Sequence, residues 1–303
     1  MNKSLLYINA AVFMWGFTGI LGKMISFDAP ILVAYRMLIT CLILFAILLF
    51  QKKWVRYEKK DFINVIKVGA LFAIHWVLFF QSIKLANASI AMLCLATASV
   101  FIALLQPLIK KTPFKIKEVL IGLIALIGVG CIYFIQPDKK ANNGMVNFQL
   151  GVIYGVVAAI ISAIFTIYNK PLSEKYPSQP TVFWEMTAGL VVLLIALPLV
   201  FPQSFANITL PSFTDFIYLL CLALFCTVIA QSLALKALKE LDAFTVTLSI
   251  NIEPIYGMIF AFVLFRENEQ LNWGSYLGIA IILSSLALQI ISTRLEKKKA
   301  NKI

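Results

Sequence analysis

Charge is what this chain has least of. Only 13% of its 303 residues are Asp, Glu, Lys or Arg, about half the share usual in a soluble domain. Acidic residues are the scarcer kind, 14 against 26 basic, and histidine occurs once, as His75. The five cysteines (Cys41, Cys94, Cys131, Cys221 and Cys226) all fall inside apolar runs, and none pairs with a histidine at a ligand-like spacing. A zinc site or a disulfide framework is therefore unsupported, and the thiols read as small buried hydrophobes. No P-loop, zincin or nucleophile-elbow pattern occurs, which argues against an ATP-driven pump and against most hydrolases. No metal or cofactor is expected, and no enzymatic activity. Long polar connections are missing too. The widest, 51–63, 136–149 and 202–215, are of ordinary loop length and leave no room for a separate soluble domain.

What fills the chain instead is apolar sequence. Hydrophobic residues make up 61% of it, in runs of the length that crosses a bilayer, about 18 residues or more. Ten spans are predicted: Leu5–Ile25, Ile31–Phe50, Asn64–Leu85, Ala88–Ile109, Val119–Ile135, Leu150–Lys170, Thr181–Phe201, Phe216–Ala237, Ala243–Phe265 and Trp273–Ser292. The break at Lys84–Asn87 is thin. It is read as a turn because one helix from Asn64 to Ile109 is too long for a bilayer. The fold class is therefore all-α integral membrane.

The net charge of +12 does not point to nucleic acid, because the basic residues alternate in density between connections. Lys52, Lys53, Arg56, Lys59 and Lys60 cluster in one, Lys110, Lys111, Lys115 and Lys117 in another, and Arg294 and Lys297–Lys299 in the tail. The intervening connections carry only Lys23, Lys84, Lys139, Lys140 and Arg266. This positive-inside bias places both termini in the cytoplasm. The first apolar run follows one lysine and lacks a small-residue cleavage site, so it is read as a retained span of a plasma or inner membrane protein.

The halves repeat. Phe80–Ile109 aligns without gaps on Leu235–Leu264, with Lys84 on Lys239, Ala88 on Ala243 and Phe101 on Tyr256. FTGILGK (Phe17–Lys23) faces FTIYNK (Phe165–Lys170), and PILVAY (Pro30–Tyr35) faces PTVFWE (Pro180–Glu185). The expected units are 1–136 and 150–293, joined by a linker at 137–149 and followed by a basic tail at 294–303. Five spans per unit force the second to enter the membrane from the opposite side. The units are then inverted repeats, whose substrate sites lie near the midplane between them.

Ionisable groups inside spans are costly and are functional candidates by default. Glu253 lies about ten residues into its span, near the midplane at about 1.5 Å rise per residue. Pro254 beside it removes a helix hydrogen bond, Asn251 adds an amide, and a kinked polar site is expected there. The competing reading is a carboxyl serving helix packing. Glu253–Pro254 aligns with Ala98–Ser99, so the feature is not repeated in the first half. His75, mid-span beside Trp76, is a candidate for substrate or proton binding; a satisfied packing histidine is the alternative. Arg36 lies about six residues from its span's end and is expected to snorkel. Glu185 lies near the end of its own span. Arg36 and Glu185 are expected at opposite depths, with no pairing between them assumed, as gate or pathway candidates. Weaker polar stripes are Ser162, Thr166 and Asn169, and Thr227 with Gln231; Trp15 and Thr18 mark the first span.

Residues 235–283, LKALKELDAFTVTLSINIEPIYGMIFAFVLFRENEQLNWGSYLGIAIIL, resemble the closing part of a repeat of the drug/metabolite transporter superfamily, in its EamA-type branch. Pro254, Glu267 and Gly278 match positions common there. The first half departs from the pattern, with Ser99 for the proline and Thr112 for Glu267. The resemblance implies a basket-like ten-helix permease whose relatives export amino acids and related metabolites. It further implies a cavity lined mainly by the first, third, fourth, sixth, eighth and ninth helices, which carry Trp15, Thr18, His75, Trp76, Ser99, Gln231, Asn251 and Glu253. The expected function is a secondary transporter exporting a small metabolite, such as an amino acid or derivative, by alternating access. Glu253, His75, Arg36 and Glu185 are its candidates for proton coupling or gating. The alternative is a membrane enzyme or flippase acting on a lipid-linked substrate. The expected partners are a small-molecule substrate and the lipid bilayer, with a homodimer left open and nucleic acid excluded.

Overall fold

The computed structural model describes residues 3–135, 147–241, 249–250 and 252–300. These are almost wholly helical, with no strand among the described residues. The helices are α1 (Lys3–Met24), α2 (Ala29–Gln51), α3 (Lys59–Leu85), α4 (Ala88–Leu95), α5 (Ala98–Lys110), α6 (Ile116–Phe134), α7 (Phe148–Lys175), α8 (Ser178–Val200), α9 (Pro202–Ala206), α10 (Phe213–Ala223), α11 (Ala230–Glu240), α12 (Glu253–Phe265) and α13 (Trp273–Ala300). A π-helical turn, Leu224–Ile229, joins α10 to α11. Counting α4–α5 and α10–α11 as one span each, nine stretches among the described residues are long and apolar enough to cross a membrane. Glu253–Phe265 is a shorter apolar helix. The first part of the expected ninth span, 243–248, lies outside the described residues.

Local chemistry places the helix ends. Asn87 turns the thin break into a cap: its side chain accepts from the Ile90 amide at 2.9 Å, which starts α4 directly after α3. Asn147 and Ser212 cap α7 and α10 in the same way. Lys111 and Arg266, aligned in the repeat, both close their helices in the left-handed region, with φ of 54° and 51°. The bundle turns apolar side chains outward, with Leu42, Ile127, Ile195 and Val263 all more than half exposed, as a lipid-facing surface requires.

Inside, α3 packs against α7 and α8, α1 against α11 and α12, and α6 against α13. Small residues set the closest approaches. A Cβ on Gly69 would lie 2.1 Å from the Glu185 carbonyl oxygen, and one on Gly189 would lie 2.5 Å from the Gly69 carbonyl oxygen. The α3–α8 contact is thus backbone on backbone, and neither partner can yield. Gly69→Ala is expected to cost about 3 kcal/mol, the upper part of the overpacking range, seen as a lowered thermal unfolding midpoint of the purified protein. An unchanged midpoint would refute this account of the contact.

One end of the bundle is tied by a polar cluster. Glu267, fully buried, accepts from the Ala88 amide (3.1 Å), the Ser89 amide (2.7 Å) and the Ser89 hydroxyl (2.5 Å), and pairs with Lys23 Nζ at 2.8 Å. Asp215 accepts from the Ser26 amide at 2.8 Å and from the Ser26 and Ser212 hydroxyls at 2.7 and 2.8 Å. At the opposite end Lys175 pairs with Asp61 (2.7 Å) and Glu58 (2.9 Å).

Candidate functional site

A cavity of about 330 Å³ lies in the middle of the bundle, between the two halves. That is the low end of the range for small-molecule sites. Trp15, Thr18, His75, Trp76, Ser99, Gln231 and Glu253 all line it, as does Arg36. His75 and Glu253 therefore share one cavity. Glu185 does not line it, and Asn251 lies outside the described residues. From the weaker stripes, Ser162, Thr166, Asn169 and Thr227 also reach the cavity.

Arg36 corrects its sequence reading. It does not snorkel: it is 2% exposed. Its Nε and Nη2 donate to Thr227 Oγ1 at 3.1 and 2.9 Å, and its guanidinium carbon sits 3.7 Å from the Trp76 ring centroid. Thr227 is available because it sits in the π-helical turn, where its hydroxyl donates back to Leu222 O, five residues earlier, at 3.1 Å. Nη1 has no partner among the described residues. Stacking on an aromatic face suits the weakly hydrated guanidinium. Nη1 is thus a charged donor at the cavity with no hydrogen-bond acceptor among the described residues.

Glu253 is the complementary group. Its carboxyl faces the cavity half-buried, and no hydrogen bond or ion pair holds it among the described residues. Arg36 and Glu253 lie in each other's electrostatic field. The helix geometry also differs from the expected kink. α12 begins at Glu253, so Pro254 occupies the first turn, where its absent N–H costs nothing. In the first half α5 begins at Ala98, the aligned position, after a turn at Ala96–Thr97. Both halves thus break the helix at one register, with or without proline. The carboxylate belongs to the second half alone.

His75 places Nδ1 2.9 Å from the Ala158 carbonyl oxygen. A carbonyl only accepts, so Nδ1 carries a proton and donates it to Ala158, which leaves Nε2 as the nitrogen free to titrate or to meet a ligand. The walls are aromatic: Phe72 stacks on Phe165 with centroids 4.0 Å apart, and Phe165 meets His75 edge-on at 5.4 Å. Ser99, Ser162 and Thr166 turn their hydroxyls to backbone carbonyls of their own segments. Lys170, aligned with Lys23, was not singled out by the sequence reading. It stands exposed on the lining, one turn from Ser173, so the cavity extends toward the Lys175 end. Toward the Glu267 end, Met92 closes on Gly19 and Gly257. A second cleft of about 390 Å³, between Phe13, Phe17, Leu21 and Phe225, opens on the apolar outer face and offers no charged group.

The sequence pattern of the EamA-like transporter family matches residues 2–134 and 149–291. An uncharacterized transporter of Bacillus subtilis (strain 168), YdfC, is 26% identical over 290 residues, covering 95% of this chain and 89% of the relative. An uncharacterized transporter of Clostridium kluyveri is 25% identical over 221 residues, covering 73% of this chain and 68% of the relative. A solved structure, titled only as the crystal structure of a protein, shares the fold at a TM-score of 0.66 and 16% identity, covering 98% of this chain and 99% of that one. With both halves matched by one family pattern, the chain is a multi-pass membrane protein that belongs to the EamA-like transporter family.

Proposed function

We propose that this chain is a secondary transporter that exports a small zwitterionic metabolite, an amino acid or a derivative of one, by alternating access. The observation that carries the reading is the pair of unsatisfied opposite charges in one cavity. Among the described residues, Arg36 Nη1 has no hydrogen-bond acceptor and the Glu253 carboxyl has no hydrogen bond or ion pair, while the two share one cavity. A substrate bearing both a carboxylate and an ammonium completes both. The aromatic walls around Phe72, Trp76 and Phe165 accept an apolar side chain. Buried charges left unpaired are expensive, and a ligand that pairs them recovers that cost on binding.

Sidedness follows from the basic connections. With the Lys52–Lys60 cluster and both termini in the cytoplasm, the Lys175 end faces inward and the Glu267 end outward. The described arrangement is then closed outside and reachable from inside, the state that loads an exporter. Inverted five-helix halves supply the opposite state by exchanging conformations. The helix breaks at Ala98 and Glu253, in one register, give each half an equivalent hinge.

The test compares metabolites released by cells overproducing the protein with those from cells carrying empty vector. Enrichment of one zwitterionic class in the medium is expected. Profiles matching empty vector, or lipid scrambling by the purified protein without solute movement, would overturn the reading.

A further inference from the structure

Three carboxylates are buried among the described residues: Glu267, Asp215 and Glu185. The first two are fully engaged, as described above. Glu185 is 1% exposed, and neither Oε1 nor Oε2 has a hydrogen-bond partner. Asn169, which faces it from α7, leaves its own Oδ1 equally unpartnered. The Asn169 amide is thus the polar group set against Glu185, and among the described residues the buried carboxyl faces a neutral amide and no cation. A carboxylate left so costs several kcal/mol. One proton resolves it, because a carboxyl O–H donates to Asn169 Oδ1.

Among the described residues no charged side chain is set against Glu185. On α2, Arg36 is turned to Thr227 and Trp76, and Cys41 lies 3.6 Å from Thr187 rather than Glu185. On α3, Lys67 points outward and His75 is bonded to Ala158. On α7, Lys170 stands on the cavity wall, and on α11 Lys236 is exposed. The phenol of Tyr57, ahead of α3, lies in the electrostatic reach of Glu185.

Position gives the group a role. On one side Asn169 lines the cavity. On the other, Thr181 sits one helical turn before Glu185, its Oγ1 3.0 Å from Tyr57 Oη. The Tyr57 ring lies 4.4 Å from Tyr176, whose hydroxyl donates to Asp61 Oδ2 at 2.7 Å, beside exposed Lys175. A file of polar groups therefore runs from the cavity past Glu185 to the Lys175 end.

We propose that Glu185 is a proton-binding site behind the wall of the substrate cavity, loaded through the cavity-lining Asn169 and discharged past Thr181 and Tyr57 toward the Lys175 end. One proton binds a carboxylate oxygen and later leaves it as H⁺, with no redox partner. The coupling role rests on the transporter reading above; the proton site itself does not.

The experiment is infrared difference spectroscopy of the purified chain in liposomes between acid and alkaline buffer. It compares wild type, Glu185→Gln, Glu253→Gln and Asn169→Leu. Wild type is expected to lose a protonated-carboxyl C=O band on alkalinisation. Glu185→Gln should remove one component of that band, which Glu253→Gln leaves in place. Asn169→Leu should shift that component by taking away its acceptor, which keeps the test decisive if Glu185→Gln folds poorly. A Glu185→Gln difference spectrum identical to wild type would overturn the proposal. So would a spectrum that responds to sodium and not to pH, since the carboxyl and amide oxygens would then hold a metal cation. In cells, acidifying the medium should raise release several-fold for wild type and leave it flat for Glu185→Gln. PH-dependent release by Glu185→Gln would overturn the coupling role. Wild-type cells that release nothing would overturn the transporter reading, while the infrared band still decides the proton site.

Discussion

Glu253→Gln is expected to abolish substrate release at wild-type membrane levels. The substitution keeps the shape of the side chain and removes its charge. Among the described residues that charge makes no hydrogen bond or ion pair and feels Arg36 only at a distance, so folding should be spared. Substrate binding should not. An ammonium placed against a neutral amide forfeits a charge-assisted contact in a site shielded from water. Losing one partner of such a pair costs about 3 kcal/mol, two orders of magnitude in affinity. Arg36→Leu should fail differently. It deprives a carboxylate of its anchor, and it also breaks the Thr227 bonds and the stack on Trp76. It is therefore expected to lower the thermal midpoint as well as transport, whereas Glu253→Gln lowers transport alone. The check is release per unit of membrane-inserted protein, with the unfolding midpoint of each variant measured in detergent. Release by Glu253→Gln within a factor of two of wild type would remove this carboxylate from the site.

The difference between these two residues marks what the sequence made legible. An acid in an apolar run, beside a proline, announces itself, and its depth followed from counting residues. The turn at Lys84–Asn87 was legible because a single helix there could not fit a bilayer, and Asn87 supplies the cap. Arg36 was legible as a candidate, but its burial was not. Six residues from a span's end, snorkelling is the ordinary outcome for a cation. It is overridden here by Thr227, 191 residues away in sequence, and by a π-helical turn that local pattern does not reveal. Lys170 escaped notice for a related reason. Its repeat counterpart Lys23 is consumed by Glu267, while the first half has Thr112 where the second has Glu267. The two lysines therefore meet different surroundings despite similar sequence. Pro254 misled in a further way. It reads as a kink, yet the shared break at Ala98 and Glu253 comes from the register of the repeat, and the proline fits a helix start that is already there.

That missing counterpart leads to the second large effect. Glu267 accepts from the first two amides of α4, from the Ser89 hydroxyl and from Lys23, all from a fully buried position. The N-terminus of α4 is where a carboxylate is most favourably placed, and Glu267 fastens it to the far half of the chain. Glu267→Ala strands two amide donors and a lysine together. The expected cost is about 3 kcal/mol, the low end for breaking a buried pair, because Lys23 keeps some contact with solvent. That cost falls only on conformations in which the Glu267 end is closed. Where the cavity must open toward that end, the contact is broken in any case. The variant should therefore shift the resting population by about two orders of magnitude toward opening at the Glu267 end. A single cysteine in place of Ala98, which lines the cavity, reports this in a chain whose native cysteines are replaced. In the parent it should react with an impermeant thiol reagent supplied from the Lys175 end. With Glu267→Ala it should react from the Glu267 end. Labelling that stays on the Lys175 side, with a lowered unfolding midpoint, would make Glu267 a fastening of the fold and no part of a gate.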